Sequence, residues 1–315
     1  MTHIKFDRSR LSIKPLSERK NQISIENKAV PLTAKADIPG KDVRELIEKT
    51  AYKIKAAREN KRSVILAFGA HTIKNGLAPV LIELIKRGWI THLATNGAGI
   101  IHDWEFAYQG MTGEDVRENV KKGQFGIWED TGKYVNLALI AGAYEGLGYG
   151  ESIGKMISAE SLNIPDTDFL INDAKDNIIK NPEHSAAALD LYSAITKNNI
   201  RPGLIKIPHP YKKHSVQCAA YDLGIPFTGH PMIGHDIIYN HPVNHGAAIG
   251  RTALNDFLYY TNSVSNLENG VYLSIGSAIM SPMIFEKALS MAQNLEIQRG
   301  SHIDKHFLVI ADLAK

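Results

Sequence analysis

The densest collection of reactive side chains in this chain is HPMIGHDIIYNHPVNHG, where His230, His235, His241 and His245 crowd around Asp236. Imidazole with carboxylate is the ligand set of zinc, iron or manganese, and imidazole alone titrates near neutrality and serves as acid or base. Pro231 and Pro242 follow two of the histidines and place them in loops held by backbone bonds, and no spaced ligand motif such as HExxH is present. The expectation is therefore non-metal chemistry, with His235 and Asp236 as catalytic groups and His241 at the substrate. A metal held by His230, His235 and His241 is the alternative. A second group is His102, Asp103 and Glu105. His102 and Glu105 stand three apart and share one helix face, so a carboxylate can orient an imidazole beside a ligand. His102 is the catalytic candidate, and Asp103 and Glu105 are the substrate candidates. Asp103 at a helix start also serves simply to complement the helix dipole.

The elements that must position these groups are legible around them. Val64 to Phe68 is an apolar run ending at Gly69, and Leu77, Val80, Leu81, Leu84 and Ile85 recur at the spacing of one buried helix face. Ile90 to Ala94 is a second run, ending in Asn96-Gly97-Ala98-Gly99 before the helix that carries His102. This is a βαβ unit with glycines at the carboxyl ends of parallel strands, where ligands of open α/β sheets bind. Gly270 to Ile275 followed by Gly276-Ser277 repeats the pattern, and Phe307 to Ala311 is a last strand. Leu204 to Ile207 and Ile225 to Phe227 read as further parallel strands. Asp42 with Glu45 forms a capping box for a helix running to about Asn60, with Val43, Leu46, Ile47 and Ile54 on its apolar side. Residues 1–40, with Pro15, Pro31 and Pro39, carry no helical period and read as an extended arm packing on a neighbour. The architecture expected is an arm over 1–40 and a single Rossmann-like α/β domain over 41–315, built on a doubly wound, mainly parallel sheet.

GAHTIKNGL through TNGAGIIHD resembles the first nucleotide-binding unit of the deoxyhypusine synthases, glycine turn against glycine turn. The likeness continues through Ile225 to His241 and Gly270 to Pro282, and the opening DRSRLSIKPLSER is similar to that of bacterial deoxyhypusine synthase-like proteins. The resemblance implies a deoxyhypusine synthase-like, Rossmann-like fold. It also implies NAD bound by Gly69, Ala70, His71, Thr95, Asn96, Gly97, Gly276 and Ser277, and an Asp236 that contacts substrate. It implies a homotetramer as well. Ile101 and His102 replace the family's acidic pair, Pro231 replaces a ligand-binding aspartate, and the lysine-bearing segment has no counterpart before Lys315. The expected activity is thus not deoxyhypusine synthesis. It is an NAD-dependent, transferase-like conversion of a small amine or amino acid by amine dehydrogenation and imine transfer. A metal-assisted hydrolase or lyase and a non-catalytic binding protein are the alternatives.

Bulk properties narrow the field. At 315 residues, 44% hydrophobic and 22% charged, the chain can bury a large core. A formal net charge of +3 is nearly balanced and gives no footprint for nucleic acid. The single cysteine, Cys218, excludes an intrachain disulfide and fits a reducing cytoplasm. No run has the length or apolarity of a signal peptide core or a membrane span. The partners expected are a small-molecule substrate and further copies of the chain.

Overall fold

The computed structural model describes residues 3–37 and 40–313, so Pro39 and Lys315 lie outside the described residues. The main sheet has five strands: β1 (Val64–Phe68), β2 (His92–Asn96), β3 (Phe227–His230), β4 (Val271–Ile275) and β5 (Phe307–Ala311). Every pairing among them is parallel, and the spatial order is 3-2-1-4-5. Helices cover both faces, which is why the strands are near-continuous apolar runs: all five residues of β1 are buried. Alternation along β1 separates the two cores. Val64, Leu66 and Phe68 join the larger one, while Ile65 and Ala67 join a smaller one with Tyr260, Val264 and Ala288. This is a Rossmann-like α/β fold.

The order reverses between β1 and β4, and there the two backbones touch. Gly69 N–H donates to the Ile275 carbonyl at 3.0 Å, and a Cβ on Gly69 would stand 1.9 Å from the Gly276 oxygen. Glycine is therefore required at position 69 by the fold itself.

Part of the N-terminal arm packs on the rest of its own chain. Arg8 Nη1 donates to the Tyr239 carbonyl at 2.6 Å and to Asn244 Oδ1 at 3.1 Å. Leu16 and Ile25 are fully buried in the main core. Ile23–Ser24 pairs antiparallel with Met111–Thr112. Leu16 and Ile25 are thus long-range core residues, which periodicity does not reveal.

Other expectations shift. The second strand begins two residues later than the apolar run suggested, at His92. Gly203–Lys206 is not in the main sheet: it pairs antiparallel with Ser161–Ile164 in a separate ribbon. The first long helix spans Gly40–Glu59, so Asp42 lies inside its first turn and does not cap it. Val43, Leu46 and Ile47 on that helix are exposed, and only its last turns reach the core through Ile54 and Ala57. No helix among the described residues is long and apolar enough to cross a membrane.

Replacing Gly69 by alanine forces a backbone shift at the β1/β4 contact and is expected to destabilise the protein by about 1–3 kcal/mol in urea unfolding. Gly250→Ala, in the Gly246–Ser265 helix with open space around the new methyl, is expected to be neutral or to stabilise by up to about 1 kcal/mol. Equal effects at the two sites would contradict this account of the switch point.

Candidate functional site

The helix Gly97–Gln109 springs directly from β2, and Asn96 starts it by accepting the Gly99 N–H at 2.9 Å. Two turns further along, this helix buries Glu105 to 1% exposure. A carboxylate so placed must have its oxygens satisfied. Arg19, itself 6% exposed, donates to both of them at 2.7 Å in a forked ion pair. The Thr131 hydroxyl donates at 2.8 Å and the Thr112 hydroxyl donates to Oε2. Burial works to raise the Glu105 pKa, but the Arg19 charge and these hydrogen bonds outweigh it and keep the carboxyl ionised.

That saturation fixes the state of His102. The Thr112 hydroxyl has one hydrogen, and it goes to Glu105. Thr112 Oγ1 must then accept from His102 Nδ1, 2.7 Å away, which leaves the lone pair on Nε2. The geometry thus carries a carboxylate-to-imidazole link, routed through Thr112. Burial pushes the His102 pKa down to about 4, overriding the opposing pull of Glu105, so the ring is neutral at pH 7.

His102 and Glu105 line a cavity of about 180 Å³ with Arg19, Lys74, Glu114, His235 and Asp236. Asp236 lies against the start of the same helix, where a Cβ on Gly97 would stand 2.0 Å from its Oδ2. That oxygen is sealed from solvent and has no hydrogen-bond partner. Burial pushes the Asp236 pKa up to about 7. Glu114 is saturated by Trp128 Nε1 at 2.9 Å, Gly126 N–H at 3.1 Å and Asn119 Nδ2 at 2.7 Å. His235 is exposed at the rim. A larger cavity of about 330 Å³ lies beside the edge strand β3 and gathers none of the expected residues. Its buried Asp256 accepts from the Gly150 and Gly229 N–H groups and ties that edge to the neighbouring helix.

The structure thus brings together His102, Glu105, His235 and Asp236, and sets others apart. Asp103 is fully buried, and its carboxylate is occupied by Ser215 Oγ, Gln217 Nε2 and the N–H groups of Val216 and Gln217. It holds the start of the helix Val216–Asp222, which corrects its assignment as a substrate group. Glu105 is likewise corrected, from a substrate contact to the anchor behind His102. His241 is buried against Gly132, with Nε2 3.2 Å from Glu129 and Nδ1 accepting the Val243 N–H, away from the cavity. His230 shares the Thr228 hydroxyl with His92, at 2.9 Å each. His230, His235 and His241 therefore do not converge, and among the described residues no group of three or more His, Cys, Asp or Glu side chains is placed to hold a metal ion. Cys218 is buried in the first turn of its helix, and burial with Asp222 beside it pushes the thiol up to about 12.

The expected dinucleotide loops divide in the same way. Thr95 Oγ1 donates to the Phe68 carbonyl, Asn96 caps its own helix, and Ser277 Oγ accepts the Ser281 N–H. These side chains serve the fold. The space over Gly97 is taken by Asp236, a poor neighbour for a pyrophosphate. At the switch point the fit is better. Gly276 is exposed, has a φ of 58°, and shows no atom within 4 Å of where a Cβ would stand, beside half-buried Ala70 and exposed His71. A ribose or phosphate can approach bare backbone there.

Arg19, Lys74, Thr112 and Glu114 were not singled out from sequence. Arg19 closes the DRSRLSIKPLSER motif and Lys74 lies inside GAHTIKNGL, so both sat in quoted segments without a chemical role.

No family model and no curated protein matches the chain. Among solved structures it is similar to the ternary complex of AgrE with ornithine and NAD+, at 14% identity and a TM-score of 0.40, covering 88% of this chain and 32% of that one. ArgZ, an arginine dihydrolase from the ornithine-ammonia cycle in cyanobacteria, is similar at 14% identity and a TM-score of 0.38, with 80% and 26% covered. A conserved putative LOR/SDH protein from Methanococcus maripaludis S2 gives 11% identity and a TM-score of 0.40, with 90% and 68% covered. The chain spans about a third or less of the length of the first two. At this level of similarity the function has to be read from the chain's own residues.

Arg19→Met strands a buried carboxylate and is expected to lower stability by roughly 3–5 kcal/mol in urea unfolding. Adding Glu105→Gln should recover part of that loss. No recovery would mean that Arg19 acts through packing alone. Asp236 sets a pH dependence of opposite sign to that of an ordinary paired aspartate. Between its unfolded pKa of 3.8 and its folded value of about 7, the native protein keeps a proton that the unfolded chain has released. The stabilisation is complete below the lower value and is lost as pH rises to the upper one. Wild-type stability should therefore fall relative to Asp236→Asn between about pH 4 and pH 7, and parallel curves would show that Asp236 is not perturbed.

Proposed function

We propose that this chain is an NAD-linked enzyme of amine chemistry, with the reacting nitrogen held in the cavity between His102 and Asp236. The observation that carries the reading is that one small space is lined both by His102, its Nε2 fixed in the lone-pair form by Thr112 and Glu105, and by the Asp236 carboxyl, whose buried Oδ2 has no hydrogen-bond partner. Two acceptors without a donor suit a group that brings its own N–H bonds and a positive charge. A substrate ammonium does both.

The shifted pKa values divide the labour. An alkylammonium has a pKa of roughly 10, so passing its proton to an imidazole of pKa about 4 would cost about 8 kcal/mol, whereas a carboxylate near 7 reduces this to about 4 kcal/mol. Asp236 is thus the base that takes the proton from nitrogen. His102 accepts a second N–H bond and aims the nitrogen, and it stays neutral throughout the physiological range. With the nitrogen deprotonated, its lone pair forms the C=N bond as hydride leaves the adjacent carbon, giving an iminium ion. NAD, when bound, supplies the hydride acceptor. Ala70, His71 and Gly276 at the switch point offer the backbone it would approach, and the parallel sheet delivers that crevice and the start of the Gly97–Gln109 helix to the same edge. Imine transfer to an acceptor, in the manner of the deoxyhypusine synthases, would follow from the same iminium ion.

The test is a thermal shift with NAD, followed by the appearance of reduced nicotinamide with a panel of amines and amino acids. Asp236→Asn should retain the fold and lose about 10²–10⁴-fold in rate, and wild-type kcat/KM should rise with pH to a plateau above about 7. The absence of any shift with saturating NAD, or an Asp236→Asn protein of undiminished rate, would sink the proposal.

A further inference from the structure

The charged groups that line the cavity differ in how far their polar atoms are already engaged. Arg19 and Glu105 neutralise each other in their forked pair, and Glu114 has its oxygens filled by three neutral donors. Four groups of the lining remain free to meet a ligand: His102 Nε2, the Asp236 carboxyl, the Lys74 ammonium and, at the rim, His235. Lys74 ends the short helix Ala70–Lys74 that follows the Gly69 turn, so β1 and β2 deliver it and His102 to the same cavity. No ion pair or side-chain hydrogen bond among the described residues engages its ammonium. Its charge is close enough to His102 to help disfavour the imidazolium there, behind the larger effect of burial.

From this arrangement we infer that Lys74 is the carboxylate anchor of the site, and that the substrate is an amino acid, not a simple amine or polyamine. The inference rests on the reading of the cavity as an amine site. Its physical basis is proximity. Lys74 and Asp236 line the same small cavity, so a ligand nitrogen held at Asp236 shares that space with the Lys74 side chain. Two like charges roughly 6 Å apart at an effective dielectric near 20 weaken binding by about a hundredfold. A carboxylate on the same small molecule converts that repulsion into a charge-assisted hydrogen bond, at a separation that an α-amino acid supplies within its own backbone. The two ends of the zwitterion then find opposite partners, and the α-carbon lies between them. A polyamine would instead place further cations beside Lys74.

The experiment is calorimetric titration of the full chain, with and without NAD, using matched pairs: L-ornithine with putrescine, L-lysine with cadaverine, and L-alanine with ethylamine. The amino acid of at least one pair should bind roughly 10- to 100-fold more tightly than its amine. Lys74→Met, checked for an intact fold by circular dichroism, should abolish that preference while leaving amine binding unchanged or tighter, and Lys74→Arg should keep it. Equal affinities within every pair, or a Lys74→Met protein that weakens both members alike, would overturn the assignment of Lys74. Tighter binding of the amines alone would do the same and leave the amine-site reading standing. Binding of neither member of any pair would overturn the amine-site reading, and this inference with it.

Discussion

The forked ion pair between Arg19 and Glu105 is the interaction on which the site depends. Its net contribution to stability is modest, because removing two charges from water offsets most of their attraction. Its value lies in uniqueness. Glu105 collects Arg19 from the arm, Thr112 from the short ribbon and Thr131 from the helix Glu129–Glu145, so one carboxylate sets the relative placement of four segments. A different packing of any of them would leave a charge or a hydroxyl buried without a partner. The His102 tautomer follows from the same constraint, since Thr112 has a single hydrogen and Glu105 claims it.

A second constraint acts at the carboxyl edge of the sheet. Glycine is used at positions 69 and 97 to let the protein approach itself, with the Gly276 carbonyl at one and the Asp236 carboxyl at the other. Gly276, in the turn after β4, faces open space instead. Glycine-rich turns after parallel strands therefore have two physical uses that look alike in a sequence: making room for a ligand, and making room for another loop. In this chain Gly69 and Gly97 serve the second use, and the exposed turn at Gly276 leaves room for the first.

What could be read from residues alone follows the range of the interaction. β1 and β5 were legible to the residue, because continuous apolar runs bounded by glycine or polar residues admit little else. The pairing of His102 and Glu105 on one face was legible because helix geometry is local. Arg19 was not: it lies 86 residues from Glu105, and nothing in its neighbourhood marks it as buried. Thr112 escaped for the same reason, since its role exists only once Ile23–Ser24 pairs beside it. In the helix Gly40–Glu59 the periodicity was real, yet Val43, Leu46 and Ile47 are exposed. Period shows that a helix has an apolar side, and not whether this chain covers it.

The deepest departure from the residue-level expectation is electrostatic. Free in water, histidine titrates near pH 6.5 and aspartate near 3.9, so a histidine-rich site invites the histidine as base. Burial moves the two in opposite directions, since it penalises a cationic imidazole and an anionic carboxyl alike. Here the shifts are large enough to invert the order, with His102 near 4 and Asp236 near 7. The positive end of the Gly97–Gln109 helix, against which Asp236 rests, favours its ionised form and opposes part of that burial. The inversion rests on burial of both groups, and the arm contributes Arg19 to the wall of the cavity they line. The same segment thus supplies both the charge partner of Glu105 and part of the wall around His102 and Asp236. Acid–base poise and fold are coupled in this site through a stretch of chain that, taken alone, has almost no secondary structure.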